Sequence, residues 1–206
     1  MPLFLDKEDL LPSARLLVWK TTETTEELVQ MANLSPEERA KLQSIVLEKR
    51  QREWLDTRLL LKQYHADREL TYLPNGKPVF KDGSHLSISH CEEYVGIISA
   101  PASIGMDIQS PDKKLLIIQK KFCNAQELAF ILEGEEGLVH TTMIWSIKEA
   151  IFKVFGENVL YAGNITVSPF NVEDEILKAH YKGIHGEREF ELVHFMMERC
   201  HVVVTQ

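Results

Sequence analysis

Trp145-Ser146-Ile147-Lys148-Glu149-Ala150-Ile151-Phe152-Lys153 is the stretch on which the reading of this chain turns. Glu149 and Lys153 are four residues apart, so a helix puts them on one face a few ångströms from each other. Trp145, Ile147, Ile151, Phe152 and Phe155 surround them with apolar surface. A carboxylate and an ammonium held this way suit a metal-bound polyphosphate. The carboxylate takes a hard cation and the ammonium takes a phosphate oxygen. Taken alone, the pair also fits an ordinary surface Glu–Lys couple, and a second patch is needed to choose.

That patch is Ile104-Gly105-Met106-Asp107-Ile108-Gln109. Its alternation reads as a strand with Asp107 and Gln109 on one face. Gly105 lets a ligand or another backbone come close. An Asp from a strand, a Glu from a helix and Gln109 beside them form an oxygen-only set that suits Mg²⁺. A lone Gly-x-Asp is more often a turn or a strand end.

A third patch joins Asn75-Gly76-Lys77-Pro78 to Leu86-Ser87-Ile88-Ser89-His90. Asn-Gly makes a tight turn and delivers Lys77 to a strand start. Ser87 and Ser89 share a strand face, with His90 at its end. Hydroxyls, an imidazole and a lysine make a phosphate and nucleotide cradle, although such residues also form ordinary polar strand faces.

In this order the patches resemble the 4′-phosphopantetheinyl transferases of the larger, surfactin-synthetase-activating type. The family's pattern is Gly-Lys-Pro, then Asn-Ile-Ser-His, then Gly-Ile/Val-Asp-x-Glu, then Trp-Ser/Thr-x-Lys-Glu-Ala/Ser-x-x-Lys. Here it reads Gly76-Lys77-Pro78, Ser87 to His90, Gly105 to Gln109, and Trp145 to Lys153. The likeness runs from about residue 40 to about residue 168. Ser87 stands where Asn is common, and Gln109 where many members carry a Glu metal ligand. The resemblance implies an α+β fold of two similar halves related by a pseudo-twofold axis, here 1–101 and 102–206, with the site between them. It implies a monomer that uses Mg²⁺, coenzyme A and an apo acyl or peptidyl carrier protein. Asp107, Glu149 and Gln109 would hold the metal. Gly76, Lys77, Ser87, Ser89, His90 and Lys153 would bind coenzyme A. One or more of the basic residues Lys49, Arg50, Arg52 and Arg58 would reach its 3′-phosphate.

Composition sets limits. A chain of 206 residues with a net charge of −8 can bury a substantial core and lacks the basic footprint of a nucleic-acid binder. That charge is awkward for acidic partners, so attraction has to be local. Lys113, Lys114, Lys120 and Lys121 bracket Leu115, Leu116, Ile117 and Ile118, a mixed basic and apolar face suited to an acidic helical partner, or simply a solvated helix with a core stripe. The three cysteines lack metal-ligand spacing, and free thiols suit a reducing cytoplasm. Residues 1–11 contain no sustained apolar run, and no stretch is long and apolar enough to span a membrane. Cys91 and His90 would point to opposite strand faces, which argues against a Cys–His nucleophile. There is no Gly-x-Ser-x-Gly elbow.

The coarse elements complete an α+β reading. Strands are expected at Leu16–Trp19, Tyr94–Ala100, Ile165–Pro169, Ile176–Tyr181, Glu189–Met196 and Cys200–Val204. A long helix starts at the Ser35 cap with Pro36 in its first turn and runs to about His65, with room for a break. Others cover Asn124–Leu132 and Thr142–Phe155, the last stopped by Gly156.

The chemistry the resemblance implies is attack by a carrier-protein serine on the β-phosphate of coenzyme A, with the 3′,5′-ADP half leaving. Glu149 would take the serine proton. Two other readings remain at this stage. One is a Mg²⁺-dependent nucleotide phosphotransferase, although no Gly-x-x-x-x-Gly-Lys-Ser/Thr loop is present. The other is a non-catalytic coenzyme A or carrier-protein binding module, with Gln109 as its mark.

Overall fold

A computed structural model describes residues 3–8 and 10–206. The reading of residues 1–11 as free of a sustained apolar run includes Met1, Pro2 and Asp9, which lie outside the described residues.

In chain order the first half holds β1 (Leu3–Lys7), β2 (Arg15–Lys20), α1 (Thr25–Ala32), α2 (Pro36–Gln43), α3 (Glu48–Tyr64), β3 (Leu70–Tyr72), β4 (Pro78–Phe80), β5 (His85–Cys91) and β6 (Tyr94–Ala100). The second holds β7 (Met106–Gln109), α4 (Lys113–Phe122), α5 (Ala125–Phe130), α6 (Gly134–Phe155), α7 (Tyr161–Asn164), β8 (Ile165–Val167), β9 (Ile176–Gly183), β10 (Gly186–Met197) and β11 (Cys200–Thr205). The first sheet has the order β1-β2-β6-β5-β4-β3 and the second β7-β11-β10-β9-β8. Every pairing is antiparallel. The class is α+β. The chain passes from one sheet to the other between Ala100 and Met106.

Strand alternation sorts the core into layers. Leu16 and Val18 of β2 and Tyr94 and Ile98 of β6 meet Met106, Ile108, Val202 and Val204 between the sheets. Leu17, Trp19, Val95 and Ile97 point the other way, onto Leu55, Leu59 and Leu60 of α3. Val203 of β11 faces Ile144, Ile147 and Ile151 of α6. The layers run helix, sheet, sheet, helix. This is why β6 is apolar along its length: both of its faces are buried.

Gly105 matters for this stacking. A Cβ there would lie 1.9 Å from the Ala150 carbonyl oxygen, so the entrance to β7 can pass α6 only as glycine. The neighbour for which Gly105 makes room is backbone.

The helix that starts at Ser35 breaks after Gln43 and restarts at Glu48. Its Ser35–Glu38 capping box is present. The motif helix begins at Gly134, eight residues before its expected start, and ends at Gly156 in the left-handed region with φ 87°. Strands β1 and β3 and helices α1 and α7 were not anticipated, whereas the Asn75-Gly76 turn leads into β4 at Pro78 as expected. No described helix is long and apolar enough to cross a membrane.

Candidate active site

The site forms where β7 and α6 of the second half meet β5, α3 and the Asn75–Pro78 loop of the first. Strand β7 pairs with β11 along one edge only. Its other backbone edge is sealed by side chains. Ser87 Oγ accepts from Met106 N at 3.0 Å, Ser89 Oγ from Ile108 N at 3.0 Å, and Cys91 Sγ from Ser110 N at 3.1 Å. Alternate side chains of β5 thus serve alternate N–H groups of the segment beginning at β7. The period of two in both segments makes this seam regular.

Asp107 is 5% exposed. Its Oδ1 accepts from Ser89 Oγ at 2.9 Å and from Lys153 Nζ at 2.8 Å. Lys153 also donates to the Met106 carbonyl at 2.8 Å. The other oxygen, Asp107 Oδ2, is buried without a partner among the described residues. An ionised carboxylate oxygen left this way lacks a cation or a donor. Glu149 lies on α6 four residues before Lys153. Its Oε1 accepts from Tyr161 Oη at 2.6 Å. Burial raises its pKa, the Tyr161 hydrogen bond opposes that, and the Asp107 charge adds to it. Two acids that feel each other's charge, one with a vacant buried oxygen, fit a hard divalent cation completed by water and phosphate. Among the described residues no cluster of three or more His, Cys, Asp or Glu forms a metal site. Any cation here would therefore rely on oxygens beyond the two acids. Gln109 donates through its amide nitrogen to Ser110 O at 2.9 Å, which leaves its carbonyl oxygen as the end able to face a cation.

Beside the acids a cavity of about 530 Å³ opens between the halves. Arg50, Gly76, Lys77, Ser87, His90 and Lys153 line it. His90 Nε2 lies 3.4 Å from Thr57 Oγ1, and burial lowers the His90 pKa to about 4, so the ring is neutral at pH 7. Lys77 Nζ donates to the Val154 carbonyl at 2.7 Å, capping the end of α6, and burial lowers its pKa.

Two residues stand apart from the cavity. Arg52 donates to Glu23 O at 3.0 Å and lines a different hollow, beside Asp56. Residues two apart on a helix point to nearly opposite sides, so Arg50 and Arg52 cannot both face one ligand. Ser89 uses its hydroxyl on the seam and on Asp107. The structure brings in residues that sequence reasoning passed over: Lys41, Trp54 and Tyr72 on the cavity wall, and Tyr161 on Glu149; Arg58, one of the basic residues of the 49–58 stretch, lines the wall as well. Trp54 and Arg58 carried a signal, since an i,i+4 aromatic–arginine pair stacks on one helix face, here at 5.0 Å. Tyr161 carried none.

Lys148, next to Glu149, turns inward and is fully buried. Its ammonium lies 2.7–2.9 Å from four acceptors, Phe122 O, Glu127 Oε2, Tyr161 O and Ile165 O, which share its three N–H groups.

Residues 103–175 match the 4′-phosphopantetheinyl transferase superfamily. This matched segment holds β7, Asp107 and the whole of α6. It is also similar to the 4′-phosphopantetheinyl transferase psf-1 of Bacillus pumilus, with 31% identity over 91 residues. The similarity spans 42% of this chain and 39% of that relative, so the chain covers well under two thirds of the relative's length.

Proposed function

We propose that this chain transfers the 4′-phosphopantetheine arm of coenzyme A to a serine of an apo acyl or peptidyl carrier protein, as a cytoplasmic, Mg²⁺-dependent enzyme. The observation that carries the reading is the buried, unpartnered Asp107 Oδ2 on an acid paired with Lys153, which itself lines a cavity together with Lys41, Arg50, Arg58 and Lys77. The match of residues 103–175 to the 4′-phosphopantetheinyl transferase superfamily supports it.

In this reading Asp107 and Glu149 hold Mg²⁺, with Gln109 beside them as an outlying oxygen. The ion supplies charge neutralisation on the pyrophosphate. Lys153 sits where it can steady Asp107 and meet a phosphate oxygen. Neutral His90, with Lys77 and the Gly76 turn, cradles the phosphates. Arg50, together with Lys41 and Arg58, offers positive charge to the 3′-phosphate. The serine oxygen forms a bond to the β-phosphorus as the bond to the 3′,5′-ADP oxygen breaks. Glu149, directly or through a water, takes the serine proton. Positioning and charge neutralisation then account for most of the rate.

The exposed face of α4 suits the carrier. Lys113, Ile117 and Lys120 follow each other at helical spacing, and Ile117 is 82% exposed. An acidic helix with an apolar contact complements that stripe.

The test is to incubate the chain with coenzyme A, Mg²⁺ and apo carrier proteins, and to look by mass for the added arm. Asp107→Ala and Glu149→Gln should each lower turnover at saturating Mg²⁺ by about 100-fold or more, on the order of 3 kcal/mol. No arm on any carrier, or near-normal turnover by either variant, would overturn the assignment.

A further inference from the structure

We infer that Tyr161 is a positioning residue for Glu149, and that Lys148 sets where Tyr161 stands. This deepens the transfer reading and rests on it.

Lys148 and Glu149 are consecutive on α6, so they leave the helix about 100° apart. Both nevertheless grip the same residue. Lys148 Nζ donates to the Tyr161 backbone carbonyl at 2.9 Å, and Tyr161 Oη donates to Glu149 Oε1 at 2.6 Å. One contact fixes the tyrosine's backbone, and the other uses its side chain. The Tyr161 ring packs against Trp145 at 5.5 Å and Phe152 at 5.7 Å between centroids. Trp145 lies four residues before Glu149 and Phe152 three after it, so both share the Glu149 face of the helix. The aromatic slot steers the phenol toward that carboxylate.

The consequence concerns the two oxygens of Glu149. A free glutamate rotates about three bonds and can offer either oxygen. With Oε1 committed to Tyr161, Oε2 is the oxygen left for a cation or for the serine proton. The tyrosine thus narrows Glu149 to one presentation. It plays the part of an outer-shell partner, whose loss costs about 10–100-fold in metal affinity or activity. The anchor is stiff because the Lys148 ammonium is fully buried and also holds Phe122 O, Glu127 and Ile165 O. No motif of the chain includes Tyr161. Its place depends on how the chain after Gly156 sets α7 against α4, β8 and β9, which leaves Tyr161 in contact with Trp145, Lys148, Glu149 and Phe152 of α6.

Tyr161→Phe tests this, because it keeps the ring and removes only the hydroxyl. The probe is Mn²⁺, titrated into the whole chain with coenzyme A present and followed by the electron paramagnetic resonance of the free ion. Coenzyme A affinity is measured separately in chelator. The expected result is Mn²⁺ binding weakened about 10-fold, kcat lowered to a similar extent, and coenzyme A affinity unmoved. Equal Mn²⁺ binding by both proteins would overturn the inference and leave the transfer reading standing. Parallel loss of Mn²⁺ and coenzyme A binding would make Tyr161 a general structural support and also overturn it. If the wild-type chain with coenzyme A takes up no Mn²⁺, the transfer reading fails and the inference with it.

Discussion

The Ser89 hydroxyl joins the two halves of the molecule at Asp107: it donates to Asp107 Oδ1 at 2.9 Å while accepting from Ile108 N at 3.0 Å. One side chain of the first sheet thus helps, with Ser87 and Cys91, to close the free edge of the second and also steadies the acid most central to the candidate site. Ser89→Ala leaves the Ile108 N–H buried without an acceptor, at a cost of about 1–3 kcal/mol. The thermal midpoint should fall by about 5 °C, read by circular dichroism. The Mg²⁺ concentration for half-maximal rate should rise, since Asp107 keeps only Lys153 as a side-chain partner. An unchanged midpoint would mean that the hydroxyl does not hold the seam.

Lys148 is the buried counter-charge of Glu127, at 2.7 Å, with both side chains fully buried. Burial presses the ammonium's pKa down and Glu127 holds it up. Lys148→Met strands the carboxylate, and breaking such a pair costs about 3–5 kcal/mol. The midpoint should drop by about 10 °C. Adding Glu127→Gln removes the stranded charge and should recover part of the loss. If the double variant is no more stable than Lys148→Met, uncompensated charge is not the cause.

Asp56 makes stability depend on pH. Burial lifts its pKa from 3.8 to about 6, and its Oδ1 has no partner. A carboxyl whose folded pKa lies above its unfolded value contributes stability that is complete below about pH 4. That contribution is lost as pH rises through about 6. Asp56→Asn cannot ionise. It should match the wild type at pH 4 and exceed it at pH 8, by about 3 kcal/mol at most. His90 and His201, each lowered to about 4 by burial, act in the opposite direction, losing stability as pH falls from 6.5 toward 4. They act equally in both proteins, so the difference in midpoint at each pH isolates Asp56. A difference that does not change with pH would contradict this account.

The α4 stripe should govern the carrier alone. Lys113→Glu with Lys120→Glu should raise the KM for an acidic carrier protein about 10-fold, each exposed charge being worth up to about 1 kcal/mol. The KM for coenzyme A should stay constant, because neither lysine lines the cavity. Added salt should weaken the wild type more than the variant. Equal salt sensitivity and an unmoved carrier KM would make these lysines a solvated face.

The sequence by itself determined what depends on neighbours along the chain. Ser35 with Glu38 and Asn124 with Glu127 form capping boxes, because a helix start is satisfied by side chains within three residues. Gly156 stops α6 because only its own φ has to turn positive. The C-terminal strands were legible from their pattern, and the ordered motifs brought out Asp107, Glu149 and Lys153. Thr24 and Glu27 form the same kind of capping box before α1, so that helix could have been read from the sequence. The tertiary structure alone decided where each polar group is used. Ser89 went to the seam, Lys77 to the end of α6, and Arg52 to the far side of α3. Gly105 accommodated a helix, and Tyr161 was brought onto Glu149. Hydrogen bonds and charges act over a few ångströms, and those separations are set by how two sheets and a helix stack, which no local pattern of residues records.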